Sequence, residues 1–301
     1  MEFAESFRAA VEGAMVARSG PADYWRAHLG MSQIGTSCER KLFYDYYWYS
    51  HDFIGARKRR LLERGHDEEE RFVRYLRDAR IRVFGRQTYY KSLVPGFGGS
   101  IDGYIKMSAI KKHLPEHLLP PIPLTSLVGI DFKTANNSNF NKVKADGVFA
   151  AFPQYFAQAQ SYMHASREPQ SPTAPLAFFL FMIVNKNNDE WFFESVPYYS
   201  SYGYALVETA KEILAAQSAL ELPRISESPM WWECKQLCKN SEVCHFGSSP
   251  AANCRTCDHS QNSGMVFRCS KSNAVLTVEE QRVGCSEYER GTQRQNLRTI
   301  L

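Results

Sequence analysis

Apolar residues recur at Phe3, Phe7, Val11 and Met15, a spacing that puts them on one helical face. Residues 1–30 therefore read as one or two helices, broken at Gly20-Pro21. Ser37 stands where an N-cap belongs, ahead of an aromatic-rich helix through Cys38–Trp48. A charge-rich helix follows over 55–79, with Leu61, Leu62, Phe72, Val73 and Leu76 as its apolar face. The pattern then changes period. Residues 81–90 and 99–107 read as strands joined by a turn at Pro95-Gly96, 114–125 as a Pro-rich surface loop, and 127–132 as a buried strand. After a looser segment rich in Asn, a helix runs from about Phe152 to Ala165. Leu176–Val184 is apolar without interruption, the mark of a strand covered on both faces, and Asn185–Asp189 turns it into Trp191–Val196 as a hairpin. A helix over 201–220 and a linker over 222–229 precede a Cys-rich segment. Helices interleave with strands, which is an α/β order.

A chain of 301 residues can bury a full core, and the pattern divides it into a main domain over 1–225 and a small module over 226–301. Hydrophobic residues make up 44% and charged residues 23%, which excludes the disordered and fibrous classes. No apolar run approaches the roughly 20 residues needed to span a membrane. The opening Met1–Arg8 lacks the basic-then-apolar order of an export signal, so cytoplasmic placement is expected. A net charge of +4 is compatible with a nucleic-acid partner without pointing to one. Eight cysteines in a reducing compartment favour metal over disulfides, and seven of them lie between Cys234 and Cys285.

Three segments carry the chemistry. They are Gly-Ser-Ile-Asp102-Gly-Tyr, Gly-Ile-Asp131-Phe-Lys133-Thr and Gln158-Ala-Gln-Ser-Tyr162. Two carboxylates on neighbouring strands are hard oxygen ligands suited to Mg²⁺ or Mn²⁺. Residues two apart on a strand share a face, so Asp131 and Lys133 meet one phosphate. The backbone carbonyl of Phe132 adds a further oxygen. Each segment alone is common: Asp-Gly is usually a turn, and acid-X-Lys occurs often on strands. Their order is what singles them out.

Together these residues resemble the PD-(D/E)XK nuclease superfamily, in its RecB-type and phage-exonuclease branches, over about residues 31–200. The resemblance implies an α-β-β-β-α-β restriction-endonuclease-like core, a mixed sheet flanked by helices. It implies Asp102 and Asp131 as metal ligands, Lys133 as electrostatic or proton-handling group, and Gln158 and Tyr162 lining the site. An earlier helix supplies an acid four residues after a glycine, here Glu69 after Gly65, reaching the ion directly or through water; His66 is a rival, and the run Asp67–Glu70 also reads as a solvated face. Asp131 departs from the commoner Glu. The activity implied is metal-dependent DNA hydrolysis at linear duplex or single-stranded ends, in recombination, processing or degradation of DNA, with a recombination or replication protein as partner. A structure-specific endonuclease and a non-catalytic DNA-binding protein are the alternatives. Arg57–Arg60 reads as a phosphate contact or a solvated face, and Phe43–Trp48 as core packing or a stacking surface for bases.

Cys254-X-X-Cys257 with Cys269 and Cys285 has the pattern of a four-thiolate zinc site. Cys38, Cys234, Cys238 and Cys244 resemble the ligands of an iron-sulfur cluster of the 4Fe-4S type in CRISPR-associated RecB-type nucleases and the helicase-nuclease family. Three residues, where two are usual, separate Cys234 from Cys238. The zinc-only alternative makes Cys38 a buried structural thiol and completes the C-terminal sites with His245 or His259.

Overall fold

The computed structural model describes residues 2–18, 26–51, 54–263 and 266–291, so the expected break at Gly20-Pro21 lies outside it. Helix α1 (Glu2–Arg18) forms as its apolar spacing requires, but Phe3, Phe7 and Val11 remain exposed. No second helix occupies 26–30. Strand β1 (Leu29–Gly30) pairs there instead, because the N–H groups of Leu29 and Met31 find the carbonyls of Gly96 and Gly98. Helix α2 (Glu39–Tyr46) is capped at Cys38, not at Ser37, and without a side-chain bond. Its aromatic residues are core: Phe43, Tyr44, Tyr46, Tyr47 and Trp48 are all buried, which leaves none to stack on bases. Helix α3 (Ala56–Asp78) buries Phe72 and half-buries Val73 and Leu76. Leu61 and Leu62 are exposed, because the buried stripe of its first turns runs through Ala56 and Arg59, whose guanidinium donates to the Ile54 carbonyl.

The two expected strands that follow are both broken up. Residues 81–88 are irregular and touch the sheet through one bridge, Phe84 to Tyr104. The regular pieces are β2 (Tyr89–Lys91), β3 (Phe97–Ser100) and β4 (Gly103–Lys106). The break at Ile101-Asp102 sends β3 into a small sheet of order β1-β3-β2, while β4 edges the main sheet. Helix α4 (Met107–Ile110) leads into the Pro-rich surface segment, which holds only short turns.

Strand β5 (Leu127–Ala135) is followed by α5 (Asn137–Ala151), in place of the looser segment that the asparagines predict. Those asparagines cluster at the start, where they stabilise a helix: the Asn136 side chain accepts the Asn139 N–H at 2.8 Å. Gly147, at φ 75°, kinks α5, and the Glu194 carboxylate accepts the Val148 N–H that the kink frees. Then come α6 (Pro153–Ala165), β6 (Leu176–Asn185), β7 (Trp191–Pro197) and α7 (Ser200–Ala215). The helix expected to reach residue 220 stops at Ala215, and Ala219–Glu221 forms a separate turn capped by Ser218.

The main sheet has the order β4-β5-β6-β7, parallel between β5 and β6 and antiparallel elsewhere, so the fold is mixed α/β. The α5–α6 crossover is what permits the parallel pair. Side chains alternate across β5. Val128, Ile130 and Phe132 join Phe72, Ile105, Met182 and Val184 beneath α3. Asp131 and Lys133 therefore face the opposite way, toward α6. The second, larger core lies on that side and runs through α2, α6 and α7.

The C-terminal segment holds α8 (Trp232–Gln236), α9 (Ser241–Phe246), a three-stranded antiparallel sheet of β8 (Ser260–Ser263), β9 (Val266–Cys269) and β10 (Val275–Leu276), and α10 (Val278–Arg282). It packs on α2 as part of one core. Arg255, 1% exposed, stacks on Trp48, Tyr46 and Phe267 and donates to the carbonyls of Tyr46 and Ala27. Asn253 donates to the Trp48 carbonyl, and Asn240 to Asp45. Among the described residues no helix is long and apolar enough to cross a membrane.

Candidate active site

Four elements converge on Asp131. Burial on the α6 side leaves it 1% exposed. Its Oδ1 accepts from Gln158 Nε2 at 3.2 Å, and its Oδ2 lies 2.6 Å from Lys133 Nζ. That second oxygen is buried and has no aligned hydrogen bond, so Lys133 offers it charge without directional pairing. Asp102 sits in the bend between β3 and β4, where its Oδ2 accepts the Phe132 N–H at 2.9 Å. This bond explains the broken strand: the Asp102 carboxylate turns inward to β5 in place of an edge residue continuing the ladder.

Electrostatics follow from the crowding. Burial drives the Asp131 carboxyl up from the ordinary range; the Lys133 charge draws it back, and the Asp102 carboxylate pushes it up again, for a net rise. Burial acts to lower Lys133, but the charges of Asp131 and Asp102 outweigh it and hold the ammonium protonated. Glu69, half-buried on α3, is raised by burial and then by the Asp102 charge, with His66, Lys133 and Arg86 opposing. Within the acidic run Glu69 is thus the member that faces this site. Glu68 pairs with Arg71 and Glu70 with Arg86, and Asp67 is exposed. His66 is exposed beside it.

Gln158 and Tyr162 occupy one face of α6, as their spacing requires. Tyr162 does not spend its hydroxyl on Asp131. Its hydroxyl donates to the Ser100 carbonyl at 2.6 Å, two residues before Asp102, and its ring lies against Tyr90 and Phe179. A Cβ on Gly99 would stand 2.9 Å from that hydroxyl, so the approach needs glycine there. Tyr162 therefore positions the segment that carries Asp102.

Two contributors escape sequence reading. Tyr155 lies under the Lys133 ammonium, 5.0 Å from ring centre to Nζ. Its place three residues before Gln158 on the same helical face is a signal that reading i, i+3, i+7 along α6 would have caught. Arg86 pairs with Glu70 and puts its charge near Glu69 and Asp102; nothing in the chain order marks it.

The structure gathers cysteines in two places, Cys38 with Cys234 and Cys238 along one cavity and the last four cysteines along another. Burial first of all raises Cys234, Cys238 and Cys244, taking Cys238 to about 11, and the neighbouring Cys38 adds to the rise of each. Cys254, Cys257, Cys269 and Cys285 line one cavity with His259, and Cys254 is pushed up to about 11 by burial and then by the other three. His259 faces Glu289 at 3.1 Å. Among the described residues no group of three or more His, Cys, Asp or Glu side chains stands in position to hold a metal ion.

No family model matches the chain, and no curated protein matches it. Solved structures resemble it, three of them as follows. LHK-Exo in complex with dAMP gives a TM-score of 0.43 at 14% identity, over 63% of this chain and 87% of that one. The alkaline exonuclease LHK-Exo from Laribacter hongkongensis gives 0.41 at 14%, with the same coverage. SSO0001 gives 0.42 at 12%, over 73% and 86%. Likeness at this level carries no functional argument, so function is inferred from the geometry of the site itself.

Proposed function

We propose that this chain is a divalent-metal-dependent DNA nuclease of the PD-(D/E)XK type, acting as a RecB-like exonuclease at DNA ends. The observation that carries the reading is that Asp102, Asp131 and Lys133 meet around β5, with Glu69 of α3 near enough to feel the Asp102 charge. Two crowded carboxylates, one of them 1% exposed with its Oδ2 against the Lys133 ammonium, fit a hard cation. Asp102 and Asp131 would hold Mg²⁺ or Mn²⁺, joined by the Phe132 carbonyl and by Glu69 directly or through water. When bound, the ion supplies Lewis acidity toward a phosphodiester and the water that attacks it.

The chain's own residues do the rest. Lys133 presents a fixed positive charge where phosphate charge develops during hydrolysis, and Tyr155 and Asp131 hold that charge in place. Gln158 orients Asp131, and Tyr162 fixes the approach of Asp102. Asp131→Ala and Lys133→Ala are each expected to abolish cleavage of linear duplex DNA in Mg²⁺ while binding persists. Full cleavage rates in both variants would remove the assignment. Closed-circular DNA left intact under the same conditions supports exonuclease action, and its nicking supports the endonuclease alternative.

The same reading assigns Cys254, Cys257, Cys269 and Cys285 to a zinc ion, on the support of four thiols lining one cavity. It assigns Cys38, Cys234, Cys238 and Cys244 to an iron-sulfur cluster, or to a second zinc ion. Either would tie α2 to the C-terminal segment. Iron and zinc content with visible absorption of anaerobically purified protein decides between them, and a metal-free, colourless, folded protein refutes both.

A further inference from the structure

Segment 82–87 runs along the outer edge of β4, the edge strand of the main sheet. Phe84 and Tyr104 exchange backbone hydrogen bonds at 2.8 and 2.9 Å, and the Gln87 N–H reaches the Ile101 carbonyl at 2.9 Å, one residue before Asp102. The segment thus begins at the candidate active site and leads away from it. Two cations lie along it against a single ring: the Arg82 guanidinium is 4.8 Å from the Phe84 centroid and Lys106 Nζ is 5.6 Å from it. Phe84 in turn stacks on Tyr104. Both cations are exposed, and among the described residues neither forms an ion pair with a carboxylate. Arg86, nearer to Asp102, is the next positive charge on the segment, but Glu70 engages it.

Two like charges that both lie within about 6 Å of one ring centre, without an ion-paired acid, repel each other. An anion that spans them removes the repulsion and gains two charge-assisted contacts. We infer that Arg82 and Lys106, mounted on Phe84 at the β4 edge, form a clamp for the sugar-phosphate backbone of DNA leading away from the scissile bond. Lys106 lies four residues along the chain from Asp102, about 13 Å in extended backbone. This corresponds to about four base pairs of duplex rise at about 3.4 Å each. The clamp reads no bases, because both groups address phosphate. It rests on the nuclease reading above, and it adds the direction in which the bound strand runs across the molecule.

The test measures equilibrium binding of the full-length protein to a short, blunt-ended, fluorescein-labelled duplex in EDTA, over a range of salt concentrations. Each phosphate contact contributes a slope of about 0.9 in log K against log salt. The Arg82→Gln/Lys106→Gln variant is expected to be shallower than the wild type by about 1.8, with affinity lowered at least about tenfold at low salt. Lys211→Gln, on α7 and already paired with Glu208, should leave the slope unchanged. A wild-type slope in the double variant, with binding and cleavage intact, overturns the clamp and leaves the nuclease reading standing. A wild-type protein that neither binds nor cuts the duplex overturns both.

Discussion

Lys133→Met isolates the central interaction of the site. Methionine keeps most of the aliphatic stem and removes the ammonium, leaving Asp131 at 1% exposure with the Gln158 amide as donor and the Asp102 carboxylate as a like charge. Removing one member of a buried ion pair costs about 3–5 kcal/mol, because the other charge remains desolvated. Some of Lys133 is exposed, so the lower end of that range, about 3 kcal/mol, is expected at neutral pH. The loss should depend on pH. Asp131 already has a raised pKa in the folded protein, and losing the opposing Lys133 charge raises it further. The folded state then binds more protons than the unfolded state over the window between the unfolded and folded pKa values. Stability contributed by protonation is therefore present below the unfolded pKa and lost as pH rises through the folded one.

Urea unfolding in EDTA at about pH 8 and about pH 5 gives the comparison. The deficit of Lys133→Met relative to wild type should shrink on acidification, as Asp131 takes up a proton and no longer needs a counter-charge. Asp131→Asn/Lys133→Met should recover most of the loss at the higher pH, since it removes the stranded charge along with its partner. A deficit under about 1 kcal/mol that does not change with pH would show that Asp131 is not a buried carboxylate held by Lys133. The nuclease reading would then lose its geometric support.

Tyr162→Phe should lower the stability by about 1–3 kcal/mol, because it leaves the Ser100 carbonyl without its donor, and should cut the cleavage rate through displacement of Asp102. Unchanged activity in a destabilised variant would deny Tyr162 that positioning role. Arg255→Lys keeps a charge but cannot cover Trp48, Tyr46 and Phe267 while bonding Gln281 and two carbonyls. Its unfolding midpoint should fall by an amount equivalent to at least about 2 kcal/mol, and a midpoint within error of wild type would mean the stack is not what joins the C-terminal segment to α2.

Much of the site was legible in the chain because its logic is local. Alternation along a strand puts Asp131 and Lys133 on one face wherever that strand lies, and helical repeat puts Gln158 and Tyr162 on one face of α6. The apolar run of β6 and the aromatic content of α2 likewise declare burial in their own composition. What composition could not show is where local rules yield to a distant partner. The strand expected over 99–107 breaks because the Asp102 carboxylate takes the Phe132 N–H, thirty residues on. The second N-terminal helix gives way to β1 because Gly96 and Gly98 offer carbonyls to it. Of four consecutive acids only tertiary packing singles out Glu69, since a helix turns each of them toward different surroundings and burial and then the Asp102 charge raise this one. Arg86, Tyr155 and the Arg82–Lys106 pair belong to the same class. Their place is set by which segments lie side by side, and the chemistry of a residue contains no information about a neighbour that the chain brings to it from elsewhere.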